Sequence, residues 1–200
     1  MKSYLIVLGL TLVTSLAFAQ NSSIGPSVGI NSAWISDSDG EGGDVRNLIG
    51  LNAGLNYLYS KYVHFGLGAG VGFSREGVIV KSRGVDTKAT LDYIRVPLKI
   101  HYFFNHLDDA FRPKVYVGPS LGFLLGGKVK TGDVSVDVKD FRESFDAGLL
   151  VGTGFNYKFA SRSWFTFDLN YTHGLISINK TGTDQFNRNV GVTMGLAYGF

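Results

Sequence analysis

Bulky apolar residues alternate with small or polar ones in eight successive segments of this chain. Because successive side chains of a β-strand point to opposite faces, this alternation predicts strands that each have one apolar face. A single segment of this kind is weak evidence, but eight without a competing helical pattern predict an all-β chain. The segments cover residues 24–34, 49–59, 63–73, 93–102, 115–125, 145–157, 165–172 and 190–200.

The bulky set of positions holds about forty large side chains, which is more than the interior of an eight-stranded barrel can take. The opposite set is mostly Gly, Ser, Thr and Asn, whereas a water-exposed surface would carry more Lys and Glu. We therefore expect the bulky set to face lipid and the small polar set to face the lumen. Because lipid offers no partners to the edge of a sheet, the sheet must close. The predicted fold is an eight-stranded antiparallel up-and-down transmembrane β-barrel, and a soluble lipocalin-like barrel is the alternative.

Three connections between the segments are short or moderate, and four are longer and polar. In outer-membrane barrels the short turns face the periplasm and the long loops face outward. Aromatic residues such as Tyr57, Tyr102 and Phe159 crowd the predicted periplasmic ends, which is typical of a membrane interface. The shorter connections are 60–61, 105–112 and 160–163, and the longer ones are 36–46, 74–90, 127–144 and 178–188.

Two of the long loops alternate again, at residues 78–81 and 134–138, and this predicts hairpins that project beyond the bilayer. Pro26, Pro97 and Pro119 lie inside strand segments, where a proline removes a hydrogen-bond donor from the ladder. Bulges at these prolines would shift the inward and outward phase of the strand by one residue.

The amino terminus has the pattern of a secretory signal peptide. Lys2 precedes an almost wholly apolar run over residues 4–18, and Ala17-Phe18-Ala19 is a small-x-small cleavage site. We expect residues 1–19 to be removed before Gln20, which leaves residues 20–200 as the barrel domain. A retained membrane anchor is the alternative, but the apolar run is short for a spanning helix.

The carboxy terminus ends a strand segment on Phe200, with Tyr198 two residues before it and Gly195 five residues before it. This ending resembles the sorting signal of bacterial outer-membrane barrels. It predicts that the C-terminal strand contacts the barrel-assembly machinery and that the protein lies in the cell outer membrane, among outer-membrane lipid.

Composition narrows the classes of function. The chain has no cysteine, which excludes disulfides and thiol chemistry. Its formal charge is +3, or +2 once Lys2 is removed, and this is too small to indicate a nucleic-acid partner. The 27 glycines and 14% aromatic residues fit a tightly curved β-structure.

Several segments also resemble one family. Residues 91–99 read LDYIRVPLK and resemble its Y-x-x-(I/V)-P-L strand, and residues 115–122 read VYVGPSLG and resemble its Y-x-G-(G/P)-x-x-G strand. Residues 145–148, residues 170–175 and the terminal strand complete the same order. The chain thus resembles the PorT-like outer-membrane β-barrel family, typical of Bacteroidetes. The resemblance implies an eight-stranded barrel without a soluble domain, and it carries over no catalytic residue.

Charged residues on the predicted lumenal face are the first candidates for chemistry. They are Arg95 and Lys99 in the fourth segment, Asp146 and Lys158 in the sixth, and Asp168 in the seventh. An unpaired charge in a narrow lumen is costly, so we expect a structural network of ion pairs. Specifically, Arg95 or Lys99 should lie within about 4 Å of Asp168 or another lumenal acid. A proton or ion path is the alternative.

Three other patterns are weaker. Asp37, Asp39, Glu41 and Asp44 make the first long loop acidic, but their spacing is not that of an EF-hand, and we expect a solvated loop. His173 and Ser177 share one face, but no activating acid is evident, so we expect no nucleophile–base pair. The glycine run over residues 66–72 precedes no helix and therefore lacks the basis for phosphate binding.

The sequence therefore predicts a non-enzymatic outer-membrane barrel with a filled polar lumen and with no metal or other cofactor. Its extracellular loops would contact protein, glycan or lipopolysaccharide, or it would serve as an envelope or secretion accessory. The alternatives are a narrow channel or transport accessory and, less favoured, an outer-membrane lipid enzyme.

Overall fold

The computed structural model describes residues 21–36, 44–82, 85–180 and 182–200. Within these ranges the chain forms nine strands and one short 3₁₀ turn, Lys139–Phe141. No helix in this part of the chain is long and apolar enough to cross a bilayer. The strands are β1 (Ser22–Ile35), β2 (Asp44–Tyr59), β3 (Phe65–Ser82), β4 (Val85–Phe103), β5 (Phe111–Thr131), β6 (Val134–Asp137), β7 (Phe145–Ala160), β8 (Ser163–Gly174) and β9 (Asn187–Gly199).

Eight of these strands form a closed antiparallel barrel. Each barrel strand pairs with the next barrel strand along the chain, so β5 pairs directly with β7. The short β6 lies between them in the sequence and pairs only with the outer end of β5. Pairing of β1 with β9 closes the sheet. The predicted eight-stranded up-and-down barrel is confirmed.

The predicted faces of the strands are also confirmed. Leu51, Leu67 and Ile100 are 65%, 59% and 56% exposed and point away from the barrel axis. Polar residues at the alternate positions, such as Asn31 and Ser120, are both only 3% exposed. The outer wall is therefore an apolar band, which suits lipid, and the polar side chains are packed inside.

The hairpins predicted beyond the bilayer are present. Strands β3 and β4 remain paired as far as Ser82 and Val85, so most of the loop expected over residues 74–90 is sheet. Strand β5 continues to Thr131 and turns into β6. These extensions form a small sheet above one side of the barrel.

The prediction that bulges at the strand prolines could shift the phase is wrong. Pro26 pairs with Leu55, and Pro119 pairs with Leu149, without a change of register. Pro97 likewise keeps the register of β4 against β5. A shift would move every later side chain to the wrong face, so the ladder keeps its register and loses one donor instead.

The register shifts lie elsewhere. One separates Asn47 from Asn52 in β2, where β2 advances five residues while β3 advances four. The others lie at Asp92/Tyr93 between β4 and β5 and at Lys158/Ala160 between β7 and β8. The bulge in β2 reverses the phase of that strand, so Val45 packs inward above Leu48.

An apolar cluster fills the extracellular end of the barrel. Its buried members are Ile35, Val78, Leu91, Tyr93, Leu124 and Ile178. Five of them come from strands, and Ile178 comes from the connection between β8 and β9. This inner core was not predicted from the sequence, and it closes the extracellular end of the lumen with side chains.

Candidate functional site

The centre of the lumen holds a buried ion-pair network around Arg95. Its Nε and Nη2 donate to the two oxygens of Glu76 at 2.9 and 2.6 Å. The same Nη2 lies 2.6 Å from Oδ2 of Asp146. The side chains of both acids are 1% exposed. One guanidinium therefore bridges two carboxylates that come from different strands.

Two neutral side chains extend this network. Asn187 of β9 donates through Nδ2 to Asp146 Oδ2 at 3.0 Å and to the hydroxyl of Tyr93 at 3.1 Å. The guanidinium of Arg95 lies 4.6 Å from the centroid of the Tyr93 ring. The network thus ties four strands, β3, β4, β7 and β9, to one another across the lumen.

Space for the guanidinium comes from a glycine. A Cβ on Gly122 of β5 would lie 2.5 Å from Nη1 of Arg95, closer than side-chain carbons approach nitrogen. The small residues on the lumenal face therefore leave room for the few long charged ones.

A second cluster lies nearer the short turns. Lys114 Nζ lies 2.9 Å from Oδ1 of Asp168 and donates to Oδ1 of Asn156 at 2.8 Å. Lys99 Nζ lies 5.2 Å from the centroid of the Tyr116 ring. Lys114 therefore pairs with Asp168, and the ammonium groups of both lysines lie near the ring of Tyr116.

The periplasmic end of the lumen is closed by an aromatic and cationic layer. Phe103 is fully buried, and the guanidinium of Arg112 lies 4.0 Å from the centroid of its ring. Arg112 also donates to the carbonyl of Val63 at 3.1 Å. The ring of His101 also stacks on Phe103, with ring centroids 5.9 Å apart.

The extracellular end is closed by the connection between β8 and β9. Arg142 donates to the side chains of Asn179 and, at 2.7 Å, Gln185. The amide of Glu143 donates to the carbonyl of Ile178 at 2.9 Å. These bonds hold Ile178 in the apolar cluster, so this connection folds inward as a cap.

Between the two closed ends lies a polar cavity of about 170 Å³. Its walls include Lys99, His101, Tyr116, Asn156 and Asp168. A space of this size and polarity suits a few water molecules. The described residues thus close the lumen at both ends and leave this small cavity between them.

The structure places the expected lumenal residues as follows. Arg95, Asp146 and Asp168 take part in ion pairs, and Arg95 has an acid well within the expected 4 Å. Lys99 has an aromatic partner in place of a direct ion pair. Lys158 lies at the periplasmic end, with Nζ 5.6 Å from the Trp164 ring centroid.

Sequence reasoning missed Glu76 and Lys114. Glu76 fell in the expected loop after Phe73, although it has the parity of the inward positions in β3. Lys114 fell just before the expected start of the fifth segment, two residues before the inward-facing Tyr116. Extending the third segment by three residues and the fifth segment by one residue would have found both.

The weaker candidates remain separate from this network. Tyr171 Oη lies 3.0 Å from Nδ1 of His173, whereas the hydroxyl of Ser177 accepts the amides of Asn179 and Gln185. The acidic stretch Asp37, Asp39 and Glu41 lies outside the described residues, as does the side chain of Asp44. The predicted signal peptide over residues 1–19 also lies outside them.

The terminal residues sit at the seam of the barrel. Strand β9 pairs with β1, and the amide of Phe200 donates to the carbonyl of Ser22 at 3.0 Å. Tyr198 is 52% exposed on the outer wall. A Cβ on Gly195 would lie 2.8 Å from the carbonyl oxygen of Pro26 and from the hydroxyl of Thr166, so this position has room only for glycine.

Comparison with known proteins gives one family and several similar folds. A family model described as an outer membrane protein beta-barrel domain matches residues 18–180. Neisserial surface protein A is 17% identical, with a TM-score of 0.58, and the match covers 91% of this chain and 99% of that one. OprG from Pseudomonas aeruginosa is also 17% identical, with a TM-score of 0.59, and the match covers 91% of this chain and 96% of that one.

A major outer membrane protein from Thermus thermophilus is 13% identical, with a TM-score of 0.51, and the match covers 90% of this chain and 99% of that one. No curated protein matches the chain. At these identities the likeness to solved structures shows a shared fold.

Proposed function

The chain belongs to the outer membrane protein β-barrel family, and from this membership we propose that it is a non-enzymatic barrel that acts through its extracellular face. The protein lies in the outer membrane, and its described residues form a closed barrel with projecting hairpins. Its work would be contact with molecules at the cell surface, or support of the envelope or of secretion.

The observation that carries this proposal is the filled lumen. The Arg95 network crosses the barrel between Glu76 and Asp146, with both acids 1% exposed. Below it, Phe103 and Arg112 close the periplasmic end. A barrel of eight strands leaves little space after such packing, so diffusion through it is not its task.

The projecting hairpins support the second half of the proposal. Strands β2, β3, β4 and β5 continue past the apolar band, and β6 adds a fifth strand to this sheet. An ordered sheet outside the bilayer offers a rigid surface, and rigid surfaces lose less entropy than flexible loops when they bind a partner.

Single-channel recording tests the proposal. The full-length protein, shown to be folded by its heat-dependent mobility on gels, is inserted in a planar bilayer. We expect no stepwise conductance above the bare bilayer. The comparison variant is Arg95→Ala with Ile178→Ala, which shortens one side chain in the centre of the lumen and one in the cap. Discrete conductance steps from the unaltered protein would contradict the proposal.

A narrow channel or transport accessory is the second candidate. The polar cavity of about 170 Å³ with Lys99 on its wall favours it. An ion or a polar solute that crosses the lumen would need such a polar space. The same recording separates the two candidates. A lipid enzyme has no comparable support, since the hydroxyl of Ser177 and the ring of His173 have different partners.

Three finer proposals rest on sequence patterns. We propose membership in the PorT-like subgroup, removal of residues 1–19 before Gln20, and recognition of Gly195, Tyr198 and Phe200 by the barrel-assembly machinery. Sequencing the amino terminus of the mature protein tests the cleavage site. Purification in mild detergent with intact complexes tests for a secretion partner or another bound protein or glycan.

A further inference from the structure

We propose that three lysines on the outer face of the projecting sheet bind the phosphate groups of a glycolipid in the outer leaflet. We call Lys88, Lys128 and Lys130 the basic strip. The inference rests on the proposed function, because it requires this end of the barrel to face the outside of the cell.

Register places the three lysines together. Lys88 of β4 pairs directly with Lys130 of β5, and Thr90 pairs with Lys128. Residues two apart on a strand share a face, so all three lysines project from the same face. Leu91 and Ala89, on the alternate positions of β4, pack into the inner apolar cluster. The basic strip therefore faces outward, and all three lysines are exposed.

The charges of the basic strip are not neutralised within the described part of the protein. Neighbouring cations have partners: Lys81 is 3.1 Å from Asp86, and Arg75 is 2.8 Å from Asp92. Among described residues, the ammonium groups of the strip have no carboxylate partner.

One acid does lie opposite the strip in register. Asp137 of β6 pairs with Lys128, but its carboxylate accepts the backbone amide of Lys139 at 2.9 Å. Like charges directly opposite on paired strands are destabilising, as with Lys88 and Lys130. A multivalent anion bound between them would remove this repulsion.

The height of the basic strip above the membrane identifies the kind of anion. On the same outward face, Phe73, Ile94 and Phe123 end the apolar band, and the Arg75–Asp92 pair follows. Along the strand from Ile94, Lys128 lies about 13 Å away, at the level of Thr90, and Lys88 lies about 20 Å away. The strip therefore lies at the level of large lipid head groups and directly above the lipid-facing wall.

Lysine chemistry agrees with this location. An ammonium group is a compact point charge that binds phosphate without a fixed orientation. A flat strand face with three such groups suits a head group that carries phosphates on sugar rings. The basic strip continues the same outward face as the lipid-facing band. This continuity favours a ligand that is itself in the membrane over a partner in solution.

The test measures binding of lipid A with two phosphates to the full-length protein in detergent. The variant is Lys88→Gln with Lys130→Gln. The matched control, Lys61→Gln with Lys139→Gln, removes the same charge from two exposed lysines outside the basic strip. Each lysine near an anionic surface contributes enough that losing two should weaken binding by about 30-fold. The control should bind as the unaltered protein does.

Further arms distinguish the ligand. Dephosphorylated lipid A and free inorganic phosphate should each bind much more weakly than lipid A with two phosphates. Equal binding by the strip variant and the unaltered protein would overturn the inference, and so would equal binding of dephosphorylated lipid A. Tighter binding of a soluble sulfated polysaccharide would also overturn it. Ion conductance by the unaltered protein would overturn the proposed function and leave the lipid result standing.

Discussion

Two arginine–carboxylate pairs between β3 and β4 differ in burial, and burial should decide how much each pair contributes to stability. Arg95 binds Glu76 through two nitrogens in the lumen, and Arg75 binds Asp92 through two nitrogens on the outer face. The Arg75 side chain is 47% exposed and that of Arg95 is 10% exposed. The geometry of the two pairs is similar, so a difference in their contribution to the free energy of unfolding should come from their different exposure to solvent.

We predict that Arg95→Met destabilises the barrel far more than Arg75→Met. Removing Arg95 leaves two acids buried without their cation, which costs about 3–5 kcal/mol. Removing Arg75 breaks a surface pair that contributes about 0–1 kcal/mol. Urea unfolding of each variant in lipid vesicles measures both changes in the free energy of unfolding. Equal losses for the two variants would show that the lumenal network has no special structural role.

At the scale of elements, the connection between β8 and β9 acts as a cap. Its Ile178 is fully buried among side chains from four strands, and its backbone bonds to Glu143 and Ser36 near the neighbouring strands. The side chain of Arg142 holds Asn179 and Gln185 from outside. The order of this connection therefore depends in part on one cation from another loop.

We predict that Arg142→Gln loosens the cap. Losing the bonds to Asn179 and Gln185 should raise the rate at which trypsin cleaves after Lys180 in the folded protein. Lys139→Gln is the matched control, because it removes a neighbouring cation that makes no such bonds. Mass spectrometry of timed digests provides the measurement. An unchanged rate of cleavage after Lys180 would mean that burial of Ile178 and the backbone bonds hold the cap without Arg142.

Strand faces could be predicted from sequence because alternation is local, whereas the ends and bulges of the strands could not. The inward position of Asp168 follows from its neighbours Phe167 and Leu169 alone. The inward position of Val45 depends on the bulge between Asn47 and Asn52, which is set by pairing with β3.

The contacts between lumenal side chains also depend on strand ends and strand pairing, and could not be predicted from local alternation. Arg95 could be identified as an inward cation, but its contact with Glu76 depends on how far β3 continues past the bilayer. The contact of Lys114 with Asp168 joins β5 to β8 over Gly154 of β7, which pairs with both residues. It therefore depends on the register of three strands, which the alternation within each strand does not give.

At the scale of the molecule, the barrel is a cylinder with an apolar outer wall and a lumen filled by charged and polar side chains. The apolar band faces lipid, the Arg95 network crosses the lumen, the Lys114 cluster lies inside the wall, and the cap closes the extracellular end. Every function proposed for this chain depends on this arrangement of faces.

The chain contains no cysteine, so single cysteines can be introduced along β8 and spin-labelled without background. The outward series is Phe167, Leu169 and Tyr171, and the inward series is Thr166, Asn170 and Thr172. In lipid vesicles, collision with dissolved oxygen should be frequent for labels in the outward series and rare for those in the inward series. Frequent collision at positions 166, 170 and 172, with protection at 167, 169 and 171, would contradict the account.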